Sequence, residues 1–234
     1  NNATGVFLEK FHVILSGTLA TLLQREYVLE YLSNKGPEYH TLLARAINYA
    51  FETRSLYHMM TTTERKHNYQ PDASVNSCDL RHYWEYCKDL LFRICDDKNV
   101  LQEVYKMLPN HVYDIVNNGC AYLLFEMIDF FSPKYNYDWD EMRRALGWIK
   151  SFNSYFYNKE KERIDKYRDV ILAPKSFVKR MKAAMDDIDR REFGSDEIFE
   201  VYTQVMQPFG EEFIRNRVYR SEELPELADK DDVH

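Results

Sequence analysis

Between Asp79 and Cys95 the apolar residues fall at Leu80, Tyr83/Trp84, Cys87, Leu90/Leu91 and Ile94/Cys95, in alternating steps of three and four. A helix of 3.6 residues per turn lines such positions along one face, whereas a strand would scatter them over both. Comparable stripes occur at Ile198/Phe199, Tyr202, Val205/Met206, Phe209 and Phe213/Ile214, and at Phe177, Met181, Ala184/Met185 and Ile188. No segment sustains the period-two alternation of a half-buried strand. The expected fold is therefore all-α, with no sheet.

Helix boundaries follow from local chemistry. Ser77 or Asp79 is placed to cap the Asp79–Cys95 helix, and Ser195 to cap the last one, where Asp196 and Glu197 suit the positive helix start. Asp138 and Glu141 have the spacing of a capping box before Met142, Ala145, Leu146 and Ile149. That helix is expected to continue through Phe152, Tyr155 and Phe156 toward Arg168. Ser16-Gly17 divides or bends the helical pattern between Val6 and Leu32. Gly36-Pro37 ends it, and Pro37 to Met60 reads as the next helix. Asn117-Asn118-Gly119 reads as a C-cap that separates two short helices. Pro174 opens the Phe177 helix and Gly194 stops it, while Pro208 predicts a kink or break near Gln207.

The prolines at 37, 71, 109, 133, 174 and 208 suggest helix-pair repeats, whose units run roughly 34–47 residues, although Pro109 and Pro133 lie closer and no signature repeats between units. Two architectures meet this pattern: an irregular multi-helix stack of the HEAT or armadillo kind, and a compact helical bundle. Residues 1–220 are read as a single α-helical domain. Residues 68–77 have loop composition, and 221–234, with six acidic residues against Lys230, are read as an acidic, disordered tail.

Apolar residues make up 45% of the chain and charged residues 29%, enough to bury a substantial core. The formal charge of −7 argues against nucleic acid as the main partner, because phosphate binding rests on concentrated positive charge. The longest apolar run, Cys120 to Phe131, is short and contains Glu126 and Asp129, so no membrane span is expected. Cys87 and Cys95 lie eight residues apart on one helix stripe, about 12 Å along the axis, too far to pair with each other. Reduced, buried cysteines place the chain in the cytoplasm or nucleus.

No catalytic constellation survives scrutiny. Glu9/His12 and Glu64/His67 share the i, i+3 spacing of carboxylate-bridged metal bundles, but a chain with seven histidines produces such spacings by chance. His-Glu-x-x-His, Cys-x-x-Cys, the phosphate-binding glycine loops and the Gly-x-Ser-x-Gly elbow are all absent. Asp186, Asp187 and Asp189 form an acidic run followed directly by Arg190 and Arg191, which reads as an exposed ion-paired face. No metal or cofactor is expected.

Two features exceed what helix packing requires. Tyr135, Tyr137 and Trp139 crowd into a loop and helix start, where exposed aromatics act as protein-binding anchors. Lys175, Lys179 and Lys182 form a basic stripe on one helix, with Arg180 beside them. The expected function is a non-enzymatic protein–protein interaction or scaffold domain, part of a larger intracellular protein. The alternatives are an all-helical, metal-dependent enzyme whose site assembles only in three dimensions, around His12, Glu64, His67 and His82, and an RNA-binding or nucleocapsid-type protein using the lysine face.

Overall fold

The computed structural model describes residues 3–14, 16–53, 75–135, 138–186, 188 and 195–220. Among these the chain is helical, with no strand. It divides into two compact units, Asn1–Leu172 and Ala173–His234.

The first unit runs α1 (Ala3–Glu9), α2 (Leu22–Lys35), α3 (His40–Ala50), α4 (Ser77–Arg93), α5 (Lys98–Met107), α6 (Val112–Asn117), α7 (Ala121–Phe131), α8 (Asp140–Gly147), α9 (Ile149–Phe152) and α10 (Ser154–Lys166), followed by a π-helical turn, Tyr167–Ile171. Its core is one irregular multi-helix assembly. The stripe that marked α4 is inward-facing, with Tyr83, Trp84, Cys87, Leu90 and Leu91 fully buried. Burying such side chains contributes roughly 1.5–3 kcal/mol each. Facing them, α3 carries Ala44, Ala46 and Ala50, all fully buried, and these small residues let α3 pack against α1, α2, α4 and α5. The indole Nε1 of Trp84 donates to the carbonyl of Ala50 at 2.8 Å, so the ring that fills the core also satisfies an orphan carbonyl at the end of α3.

The run that was too short for a membrane is α7, the most thoroughly apolar helix of the unit. Leu123, Leu124, Met127, Ile128 and Phe131 are fully buried, while Glu126 reaches out to the Lys88 ammonium at 2.6 Å and Asp129 accepts from the Tyr167 hydroxyl at 2.5 Å. Burial and that carboxylate bond push the Tyr167 phenol up to about 12. Among the described residues, no helix is long and apolar enough to cross a membrane.

Several boundaries differ from the sequence-based expectation. The N-cap of α4 is Asn76, whose Oδ1 accepts from the amides of Cys78 (2.8 Å) and Asp79 (2.9 Å). Its amide is the better cap than the Ser77 hydroxyl because it also donates to Asp79 at 2.8 Å. The Asp138–Glu141 capping box does not form: α8 begins at Asp140, and its N-cap is Trp139 with no side-chain cap bond. The long helix expected beyond Ile149 is broken at Asn153 (φ −147°, ψ 70°), whose side chain restarts it as α10 by accepting from the Phe156 amide. Trp148 lies at the junction of α8 and α9 and is exposed. Between α6 and α7 the Asn118-Gly119 stop is present, with Gly119 at φ +73°.

The second unit contains α11 (Phe177–Asp186) and α12 (Ser195–Arg220), which pack on each other. Phe177 meets Phe209 edge-on, and the Arg180 guanidinium pairs with Glu212. Of the kink or break expected near Gln207, no break is made: α12 runs through Pro208. Pro208 and Gln204 are both exposed, so the carbonyl that loses its amide partner faces water.

Candidate functional site

Apart from Arg143, which pairs with Asp169, the polar groups buried among the described residues of the first unit collect at two places. The first is the end of α3. There His111 Nε2 meets Asn48 Oδ1 at 2.7 Å, its ring lies beside Phe51, and its Nδ1 is 3.9 Å from Asp114 Oδ2. Asp114 Oδ1 accepts from both the amide and the hydroxyl of Thr53, tying the end of α3 to α6. A nucleophilic relay needs the hydroxyl on an imidazole nitrogen. Here the Thr53 hydroxyl bonds to the carboxylate instead, and the histidine is engaged by an amide. The arrangement fastens two helices.

His12 lies close by in the fold, stacked on Tyr49 with its Nε2 3.7 Å from Glu52 Oε2. It does not share a helix face with Glu9, because α1 ends at Glu9 and the chain turns. His82 belongs to α4, exposed, 3.6 Å from Glu26. Glu64 and His67 lie outside the described residues. Among the described residues no group of three or more His, Cys, Asp or Glu side chains is placed to hold a metal ion.

The second place is the inner face of α2. Arg25 is buried, and its guanidinium donates to the carbonyls of His12 and Ala20 and to the Ser16 hydroxyl (2.9 Å). It thereby holds the segment before α2 against the helix. Glu26 is buried beside it; desolvation raises its carboxyl above the ordinary value, and the neighbouring His82 opposes the shift.

The outer face of α2 is different in kind. Leu23, Tyr27 and Tyr31 recur every four residues and are exposed, at 55%, 69% and 60% respectively; Leu19, in the segment before the helix, is exposed at 57%. Val28 is exposed beside them. The helix is thus apolar on both sides: Leu22, Leu29 and Leu32 point into the core while the Leu/Tyr row points out. Isolated exposed hydrophobic residues are ordinary on any surface, but a contiguous row marks an interaction surface. The row is nearly free of charge. Lys35 sits at its end with its ammonium over the rings of Tyr31 and Tyr39, contacts that raise its pKa. Along one flank Glu30 is bound by the Tyr86 hydroxyl and by Arg93, which lower its pKa.

Of the aromatic residues singled out from sequence, Trp139 is buried, donating from Nε1 to the Tyr105 carbonyl at 3.1 Å, and Tyr135 is half-buried, stacked on Tyr105. The fold draws both toward the core; Tyr137 lies outside the described residues. A smaller exposed aromatic corner forms where α8, α9 and α10 meet, from Trp148 and Tyr155 with Phe152 against Tyr113. Lys179 and Lys182 are exposed on α11, but Lys175 precedes the helix, so the three do not form a stripe on one helix. Comparison with known proteins finds no matching family model, no matching curated protein and no matching solved structure. The surface must speak for itself.

The α2 row was visible in the sequence as Leu23, Tyr27 and Tyr31 at steps of four. It was missed because Leu22, Leu29 and Leu32 in the same segment already accounted for a buried face. The surplus signal was the number of apolar residues, more than one face of a 14-residue helix can bury.

Proposed function

We propose that this chain is a non-enzymatic protein–protein interaction domain, a scaffold element of a larger protein, whose docking surface is the outer face of α2. The observation that carries the reading is the exposed Leu23–Tyr27–Tyr31 row on a helix that already buries its opposite face. Tyrosine suits such a surface because it removes a large apolar area from water, at about 25 cal/mol per Å², while its hydroxyl remains tolerable in the unbound state. The four cysteines are unpaired, and Cys87, Cys95 and Cys120 are buried, which supports a reducing compartment, cytoplasm or nucleus. The net charge of −7 favours another protein over nucleic acid as partner.

The test is differential. Proteins retained by the wild-type chain are compared with those retained by Tyr27→Glu/Tyr31→Glu and by Trp148→Glu. The reading requires that a defined set disappear with the α2 variant and stay with the Trp148 variant. Identical sets for all three chains would end it.

A further inference from the structure

We infer that the occupant of the α2 face is a second copy of this chain, docked through antiparallel pairing of α2 with its symmetry mate about a two-fold axis at Tyr27. This inference rests on the proposed docking role of that face and specifies its partner. Three features carry it.

The row is self-complementary. With the axis at Tyr27, Tyr27 meets Tyr27 of the second copy and Leu23 meets Tyr31. Residues separated by four form the ridge that packs one helix against another in the commonest crossing class, and a two-fold interface needs one patch that matches itself.

The face also lacks the charge that would keep two acidic molecules apart. The chain carries a net charge of −7, yet the outward positions of α2 hold Leu23, Gln24, Tyr27, Val28, Tyr31 and Asn34, with Lys35 as the end charge. Glu30, at the flank, is already bound within its own molecule. Lys35 lies eight residues from the axis, so the two Lys35 side chains are on the order of 24 Å apart, beyond two Debye lengths at physiological salt.

The area is sufficient. A fully buried tyrosine removes about 150–250 Å², so Tyr27 and Tyr31 at 69% and 60% exposure offer roughly 250 Å² together. Leu23, Val28 and the exposed Gln24 and Asn34 bring the face to about 500 Å² per copy, and the pair to about the 1,000 Å² at which a specific interface becomes sustainable. Association at the weak, micromolar end follows from that size.

Sedimentation equilibrium on the full chain, from about 1 to 300 μM, tests the pairing. The expected result is reversible association to twice the 28.1 kDa monomer mass. Tyr27→Glu, which sets two carboxylates against each other on the axis, weakens it at least ~100-fold, with circular dichroism unchanged. Trp148→Glu leaves it intact. In a Cys78→Ser background, Tyr27→Cys forms an intermolecular disulfide on oxidation, whereas Lys35→Cys, far from its counterpart, does not. A wild-type chain that stays monomeric throughout, or a Tyr27→Glu chain that associates like wild type, overturns the inference. A monomer that loses partner proteins on Tyr27→Glu/Tyr31→Glu refutes the second copy but leaves the docking face; a monomer that loses none refutes both.

Discussion

At the scale of single residues, α2 shows how one helix holds two unlike charges in its buried face. Arg25 is saturated by oxygens of the segment preceding the helix, which is why a guanidinium is tolerated in the interior. Glu26, one residue on, has an exposed histidine for its neighbour and a desolvated carboxyl. Its folded pKa is raised, so the fold binds that proton more tightly than the unfolded chain does. The stability this confers is present at low pH and is lost as pH rises through the raised value. Glu26→Gln, neutral at every pH and still an acceptor for His82, therefore stabilises the first unit at pH 8. The expected gain is about 1–3 °C in Tm, shrinking toward zero near pH 4. Thermal melts of both chains at the two pH values check the sign. Neither environment was legible in sequence, because Arg25 and Glu26 look like the polar side of any amphipathic helix. Only the approach of residues 12–20 to the same face makes them interior.

At the scale of elements, caps and breaks decided where the helices stop, and they answered to atoms the periodicity does not describe. Gly36 and Gly119, both at positive φ, end their helices where glycine was expected to. Asn76 displaced Ser77 as a cap, and Asn153 divided a pattern that reads as continuous. Pro208 did the reverse, staying inside a helix that it was expected to interrupt. Its missing amide leaves the Gln204 carbonyl to solvent, a cost the α11–α12 packing offsets. Restoring the donor should then be favourable. Pro208→Ala is expected to stabilise α12 by about 1–3 kcal/mol, against the ~3 kcal/mol a proline costs in a helix interior. Slower hydrogen exchange of the amides around 204–212 is the readout, and unchanged exchange would mean the helix already absorbs the proline without strain.

At the scale of the whole molecule, two tryptophans separate the core from the surface. Trp84 is fully buried with its indole bonded to α3, and Trp148 is 66% exposed. Trp84→Ala is expected to destabilise the first unit by about 3–5 kcal/mol, and Trp148→Ala to stay within about 0.5 kcal/mol; urea titrations of the two variants give both values. The sequence alone determined that the chain is all-α, that α4 buries its stripe, and that the longest apolar run is too short for a bilayer. These follow from spacing along the chain, a local property that survives in any tertiary context able to cover one face. Tertiary structure alone decided which faces were covered. It buried Trp139, which the sequence offered as an anchor, and left α2 with a second apolar face that stands exposed among the described residues. A hydrophobic residue has the same periodicity whether it points at a neighbouring helix or at water; only the arrival of that neighbour, many residues away, distinguishes a core position from a docking surface.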